Sequence, residues 1–108
     1  MLLAGHILLH RADPDEPHAV HPGAPTFAVE VRSEGDDGPA AEAQMAAKRA
    51  DYFEAGTMVV WDVDPVAIRI REYHRDLPTR AVEFALGDHA DAEPAVPGRR
   101  VAVDRIFA

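Results

Sequence analysis

Residues Pro25-Thr26-Phe27-Ala28-Val29-Glu30-Val31-Arg32-Ser33 alternate strictly between apolar and other side chains. Read as a strand, they put Phe27, Val29 and Val31 on one face and Ala28, Glu30 and Arg32 on the other. The first face is apolar enough to be core, while the second carries an acid and a base. Pro25 precedes the run, and Ser33-Glu34-Gly35-Asp36-Asp37-Gly38-Pro39 follows it, so turn chemistry brackets the strand at both ends. Metal-dependent hydrolases keep a ligand on such a strand, on its cleft-facing side. An edge strand with a solvated outer face has the same pattern.

Working outward toward the C-terminus, residues 40–55 are built from alanine, glutamate, glutamine, methionine, lysine and arginine, which favours a helix. Pro39 suits its first turn and Gly56 its stop. At ~100° per residue, Met45, Tyr52 and Phe53 share one side. Arg49 falls among them and Lys48 borders them. Cations there either snorkel, with buried stems and solvated heads, or face something that needs charge. Met58 to Pro65 reads as a buried strand ended by Asp64-Pro65, with Trp61 assigned to the core. Two antiparallel strands are expected next, at Val66–Tyr73 and Arg80–Leu86, joined by a connection over His74–Thr79 that holds Pro78. Val82, Phe84 and Leu86 align on one face of the second. Gly87–Pro94 reads as an acidic loop, Val96–Val103 as a short final strand, and Asp104–Phe107 as a closing turn.

Toward the N-terminus, Leu2–Leu9 is a short apolar run that reads as a first strand, with His6 as its one polar side chain. A lone histidine there is a packed or surface residue more often than a ligand. His10 to Ala24 is polar and proline-rich, hence a loop. The spacings of His10, His18 and His21 fit no compact metal motif on a regular element. The order of strand, strand, helix and several strands predicts an α+β domain over residues 1–108, with one mixed, mainly antiparallel sheet and a single main helix packed on it. Net charge is -8, which argues against broad electrostatic capture of nucleic acid, although a local basic groove is compatible with it. The chain has no cysteine, so disulfides, thiolate metal sites and cysteine nucleophiles are excluded. Its opening residues are too short and interrupted for a signal peptide or a membrane span, and the expected compartment is the cytoplasm.

Three stretches, taken in order, resemble the Uma-two family of restriction endonucleases, a branch of the PD-(D/E)XK nuclease superfamily. They are Pro25 to Ser33; Lys48-Arg49-Ala50-Asp51-Tyr52-Phe53-Glu54-Ala55-Gly56, which runs on into Val60-Trp61-Asp62-Val63-Asp64-Pro65; and Val96-Pro97-Gly98 through Phe107. The family pattern is a strand with Val-Glu-Val, a helix with Lys-x-x-x-Tyr and a glycine, a strand with Tyr-Trp-x-Val-Asp-Pro, and a closing Leu-Pro-Gly segment. No one motif is specific; their order and spacing are.

The resemblance implies a restriction-endonuclease-like core that hydrolyses phosphodiester bonds in nucleic acid, DNA before RNA, with Mg²⁺ or Mn²⁺. By it, Glu30 is the metal-binding carboxylate and Lys48, on the helix, is the catalytic lysine. Arg32 stands where other branches keep a strand lysine and is a second catalytic cation. The family's Pro-Asp on the preceding strand is absent: His6 occupies that place as the second metal ligand, and Pro25-Thr26 likewise replaces a Pro-Asp. Asp13, Asp15 and Glu42 are the next candidates. Against the family's usual length, the chain reads as N-terminally shortened. The alternative to an active nuclease is a catalytically degenerate binding or interaction module. Exposed sheet edges make a homodimer a possible partner state for either.

Overall fold

The computed structural model describes residues 7–11, 25–33, 35 and 38–108. Among them, strands β1 (Ile7–Arg11), β2 (Pro25–Val31), β3 (Val59–Asp64), β4 (Arg69–His74) and β5 (Leu77–Ala85) form a five-stranded sheet in the order β1-β2-β3-β4-β5. Three neighbouring pairs are antiparallel, and β2–β3 is parallel. A parallel joint needs a crossover, and helix α1 (Pro39–Ala55) supplies it. The mixed, mainly antiparallel sheet with one main helix is therefore the observed architecture. A second sheet of β6 (His89–Ala92) and β7 (Val96–Ala102), and a one-turn helix α2 (Val103–Ile106), complete it.

The alternation of β2 sorts the two layers. Val29 and Val31 join Val59, Trp61, Val63 and Ile70 in the larger core, with Ala90, Ala92, Ala95 and Val103 packed against them. The smaller core holds Ala28, Val60 and Tyr73 beside Phe53 of α1. Trp61 fixes the first layer: its ring meets Phe27 edge-on at 5.0 Å, and its indole N–H donates to Glu72 Oε2 at 2.7 Å. The other oxygen of Glu72 shares a 2.7 Å hydrogen bond with His74 Nε2. A buried carboxylate is tolerable there because both of its oxygens are engaged.

Helix α1 ends where expected. Gly56 has φ 113, a left-handed conformation that suits glycine, and its N–H reaches Phe53 O at 3.2 Å. Thr57 then donates through Oγ1 to Pro25 O at 2.7 Å, and Met58 N donates to Thr26 O at 2.9 Å. These bonds tie the start of β3 to the start of β2 and so set the register of the parallel joint.

Several boundaries differ from the sequence reading. The first strand runs past His10 to Arg11, while its expected part from Leu2 to His6 lies outside the described residues. Val66–Ile68 is a turn because Asp64 Oδ1 accepts from the Val66 and Ala67 amides at 3.1 and 3.0 Å. The connection to β5 is shorter than expected, since β4 continues through His74 and β5 begins at Leu77. Pro78 is accommodated because β5 is the last strand of the sheet order, where a missing N–H need not break a ladder. Of the aligned Val82, Phe84 and Leu86, Phe84 packs on the core, whereas Val82 and Leu86 are 50% and 54% exposed. Gly87–Pro94 contains β6, whose small apolar residues Ala90 and Ala92 are buried against the larger core.

If Trp61 holds this layer together, Trp61→Ala should lower stability by ~3–5 kcal/mol, and Trp61→Phe by ~1–3 kcal/mol through the donor lost to Glu72. Urea titrations followed by circular dichroism measure both. A wild-type midpoint for the alanine variant would contradict this account of the core.

Candidate active site

The parallel register sets Glu30 of β2 opposite Asp62 of β3, two carboxylates on adjacent strands beneath α1. Both are buried, at 6% and 1% exposure. Arg32 completes the joint. Its Nε and Nη2 donate to the two oxygens of Asp62 at 2.8 and 2.7 Å, and its Nη1 donates to Glu42 on the first turn of α1. The guanidinium pKa is raised, first by the bond to Asp62 and then by that to Glu42. Glu42, about half exposed, is pulled below its ordinary range chiefly by that same bond. A planar, permanently charged fork suits this role, which the point charge of lysine would not fill.

Beside this cluster a cleft of about 110 Å³ opens between α1 and the sheet, lined by Glu30, Asp62, Gln44, Met45, Lys48 and Arg49 among others. Lys48 Nζ lies 3.6 Å from Glu30 Oε2, with the lysine side chain 61% exposed. Such exposure is that of a cation at a cleft mouth, not of a stem buried to pack. Tyr52 donates its hydroxyl to Glu30 Oε1 at 3.3 Å. Burial, followed by the charge of Glu30, raises the pKa of that phenol, so Tyr52 keeps its proton and stays a donor at neutral pH. Arg49 lies over the Tyr73 ring, 3.9 Å from its centroid.

The structure thus brings Glu30 and Lys48 to one cleft. Arg32 shares their side of the sheet but does not line the cleft; its partners are Asp62 and Glu42. His6, Asp13 and Asp15 lie outside the described residues, and Glu42 is committed to Arg32. Sequence reasoning missed Asp62, which sits inside the apolar run of β3. The signal was present: a charge in a buried strand calls for a partner, and Arg32, read as a second catalytic cation, stands just past the end of the neighbouring strand.

A hard divalent cation in a phosphate-processing site is commonly held by one or two carboxylates, with substrate phosphate and water completing its shell. Glu30 suits such a role: its oxygens line the cleft, and the hydrogen bond it accepts from Tyr52 is a long one, 3.3 Å. Asp62 is the second carboxylate, already gripped by Arg32. Among the described residues no cluster of three or more histidines or acids stands ready to hold a metal.

The layered sheet, the crossover helix and this cleft define a restriction-endonuclease-like nuclease fold. The chain belongs to the Uma-two family (Uma2), described as "Putative restriction endonuclease", whose family model matches residues 7–104. Among solved structures it is similar to a "putative nuclease belonging to DUF820" from Anabaena variabilis, with a TM-score of 0.62 and 14% identity. That match covers 78% of this chain and 44% of the other, so this chain spans less than half of that protein's length. No curated protein matches. Among the described residues no helix is long and apolar enough to cross a membrane.

Breaking the Arg32–Asp62 pair from one side should be costly, because it strands a buried charge. Arg32→Met and Asp62→Leu should each lose roughly 3–5 kcal/mol, and the double variant should regain most of that loss. Denaturant melts of all four proteins test the coupling; additive losses in the double variant would rule it out.

Proposed function

We propose that the chain is a nuclease that hydrolyses phosphodiester bonds of nucleic acid, DNA in the first instance, in the cleft beneath α1. The observation that carries this reading is the convergence of the Lys48 amine, from the helix, on the buried Glu30 carboxylate, from the sheet. Glu30 and the substrate phosphate would together hold Mg²⁺ or Mn²⁺. Such an ion lowers the pKa of bound water and offsets phosphate charge. Lys48, at the mouth, is placed to steady the attacking water or the charge that builds on phosphate. Tyr52 fixes the rotamer of Glu30 through its hydroxyl. Arg32 acts on the site indirectly by holding Asp62 and the first turn of α1 in place. A homodimer belongs to the same proposal, supported by the exposed Leu77 and Val82 on edge strand β5 and by Leu86 just past its end.

The bidentate grip of Arg32 on Asp62 favours a second reading, a nucleic-acid-binding module that has lost catalysis. Cleavage assays on DNA and RNA oligonucleotides separate the two. We expect weak cutting, stronger with Mn²⁺ than with Mg²⁺, since Mg²⁺ gives up water reluctantly and, of the two cleft carboxylates among the described residues, Asp62 is already gripped by Arg32. Glu30→Gln and Lys48→Ala should each lower the rate by about a hundredfold or more. Activity unchanged in Glu30→Gln would remove the site assignment, and binding without cutting under either metal would establish the second reading. Light scattering of the same samples reports the mass; a single-chain value at all concentrations would discard the dimer.

A further inference from the structure

Arg49 is held in a way that its structural surroundings do not account for. Its side chain is 11% exposed, and its Nε and Nη1 are the buried side-chain polar atoms without a hydrogen-bond partner among the described residues. The ion pair it makes is with Asp62 Oδ2 at 3.9 Å from Nη1, too far for a hydrogen bond. Both oxygens of Asp62 already accept from Arg32. The cation–π contact holds the guanidinium over the Tyr73 ring but takes up none of its donors. Buried donors left without acceptors are costly, and where they persist they call for an explanation. If Arg49 served only to balance Asp62, it would lie within hydrogen-bond reach of it.

We propose that Arg49 is the phosphate-binding residue of the cleft, its guanidinium held over the Tyr73 ring to receive an oxygen of a nucleic-acid phosphate. The assignment of that phosphate to nucleic acid rests on the nuclease reading. Three observations converge on the proposal. Arg49 lines the cleft beside Gln44 and Lys48, so its side chain borders the space that an entering phosphate would occupy. Guanidinium supplies several donors in a rigid plane and recognises phosphate oxygens by charge-assisted hydrogen bonds. Among the described residues of the ion-pair cluster, Glu30, Asp62 and Glu42 are set against Arg32, Lys48 and Arg49. Those six groups present an entering anion with no net negative charge, even on a chain whose net charge is -8. The two cations divide the work: Lys48 is solvent-exposed at the mouth, and Arg49 is buried and pre-oriented within.

Anisotropy titrations of a short single-stranded DNA with the full chain in EDTA, across a range of salt, test this without cleavage. Arg49→Gln should bind about tenfold more weakly or worse, and its salt dependence should lose roughly one phosphate contact. Arg49→Lys should fall between, retaining the charge but not the planar donors. A folded Arg49→Gln protein, judged by its melt, that binds with unchanged affinity and salt slope overturns the proposal. Should that variant not fold, titration of the wild type with inorganic phosphate, followed through arginine Nε–H resonances, decides. The Arg49 signal, assigned by its loss in Arg49→Lys, should move while that of Arg32 stays; an immobile Arg49 signal overturns the proposal. Oligonucleotide held through Arg49 but never cut with either metal would sink the nuclease reading and leave this one standing. Wild-type cutting by Arg49→Gln would do the reverse.

Discussion

Between β2 and β3, a guanidinium and a carboxylate face each other with two short hydrogen bonds and almost no access to water. Separately, each would be among the most unfavourable groups to bury in the molecule. Together they are tolerable, because attraction in a low dielectric and complete hydrogen bonding offset much of the desolvation. Arg32 reaches Asp62 only when β2 and β3 lie parallel and in register, and reaches Glu42 only when α1 starts beside them. One interaction therefore couples the parallel joint, the position of the helix and the wall of the cleft.

The two faces of the sheet are held by different physics. The face carrying Val29, Trp61 and Ile70 is closed by apolar packing of β6, β7 and α2, and its polar atoms sit in one satisfied group around Glu72. The face under α1 has a small core, in which Phe53 is the helix's buried side chain. Charge does the rest, through Arg32 with Glu42, Lys48 with Glu30, and Arg49 with Asp62. A helix seated mainly by ionic contacts leaves space beside the sheet, whereas a greasy one would seal it. The cleft is a consequence of that choice of side chains.

Much of this was legible in the chain. The alternation of residues 25–33 reports one core face and one face carrying an acid and a base, and the composition of residues 40–55 with Pro39 and Gly56 reports the helix. The position of Trp61 in a continuous apolar run reports a core strand. Glu30 and Lys48 stood out because each was a charge on a face that had reason to be covered. Other features rest on information that periodicity does not carry. Ala90 and Ala92 are too small to announce a strand, and they became one through pairing with β7. Asp64 reshaped its own downstream residues into a turn by local hydrogen bonding. Asp62 was masked by its apolar neighbours, since its significance lies in a partner on another strand. Tyr52 read as part of an apolar stripe, yet its hydroxyl is what touches the site.

The parallel joint also governs which length changes the chain can absorb. Side chains on a strand alternate faces, so a single-residue insertion or deletion within residues 59–61 would send Asp62 into the apolar layer and turn Val63 toward the helix. Thr57 and Met58, bonded to Pro25 and Thr26, anchor the strand's start and deny it the freedom to slide back into step. Among relatives sharing this architecture, gaps should therefore gather in the turns, while the spacing from Thr57 to Asp62 stays fixed. In this molecule the reading frame of one short strand is a structural quantity, as constrained as any contact in the core.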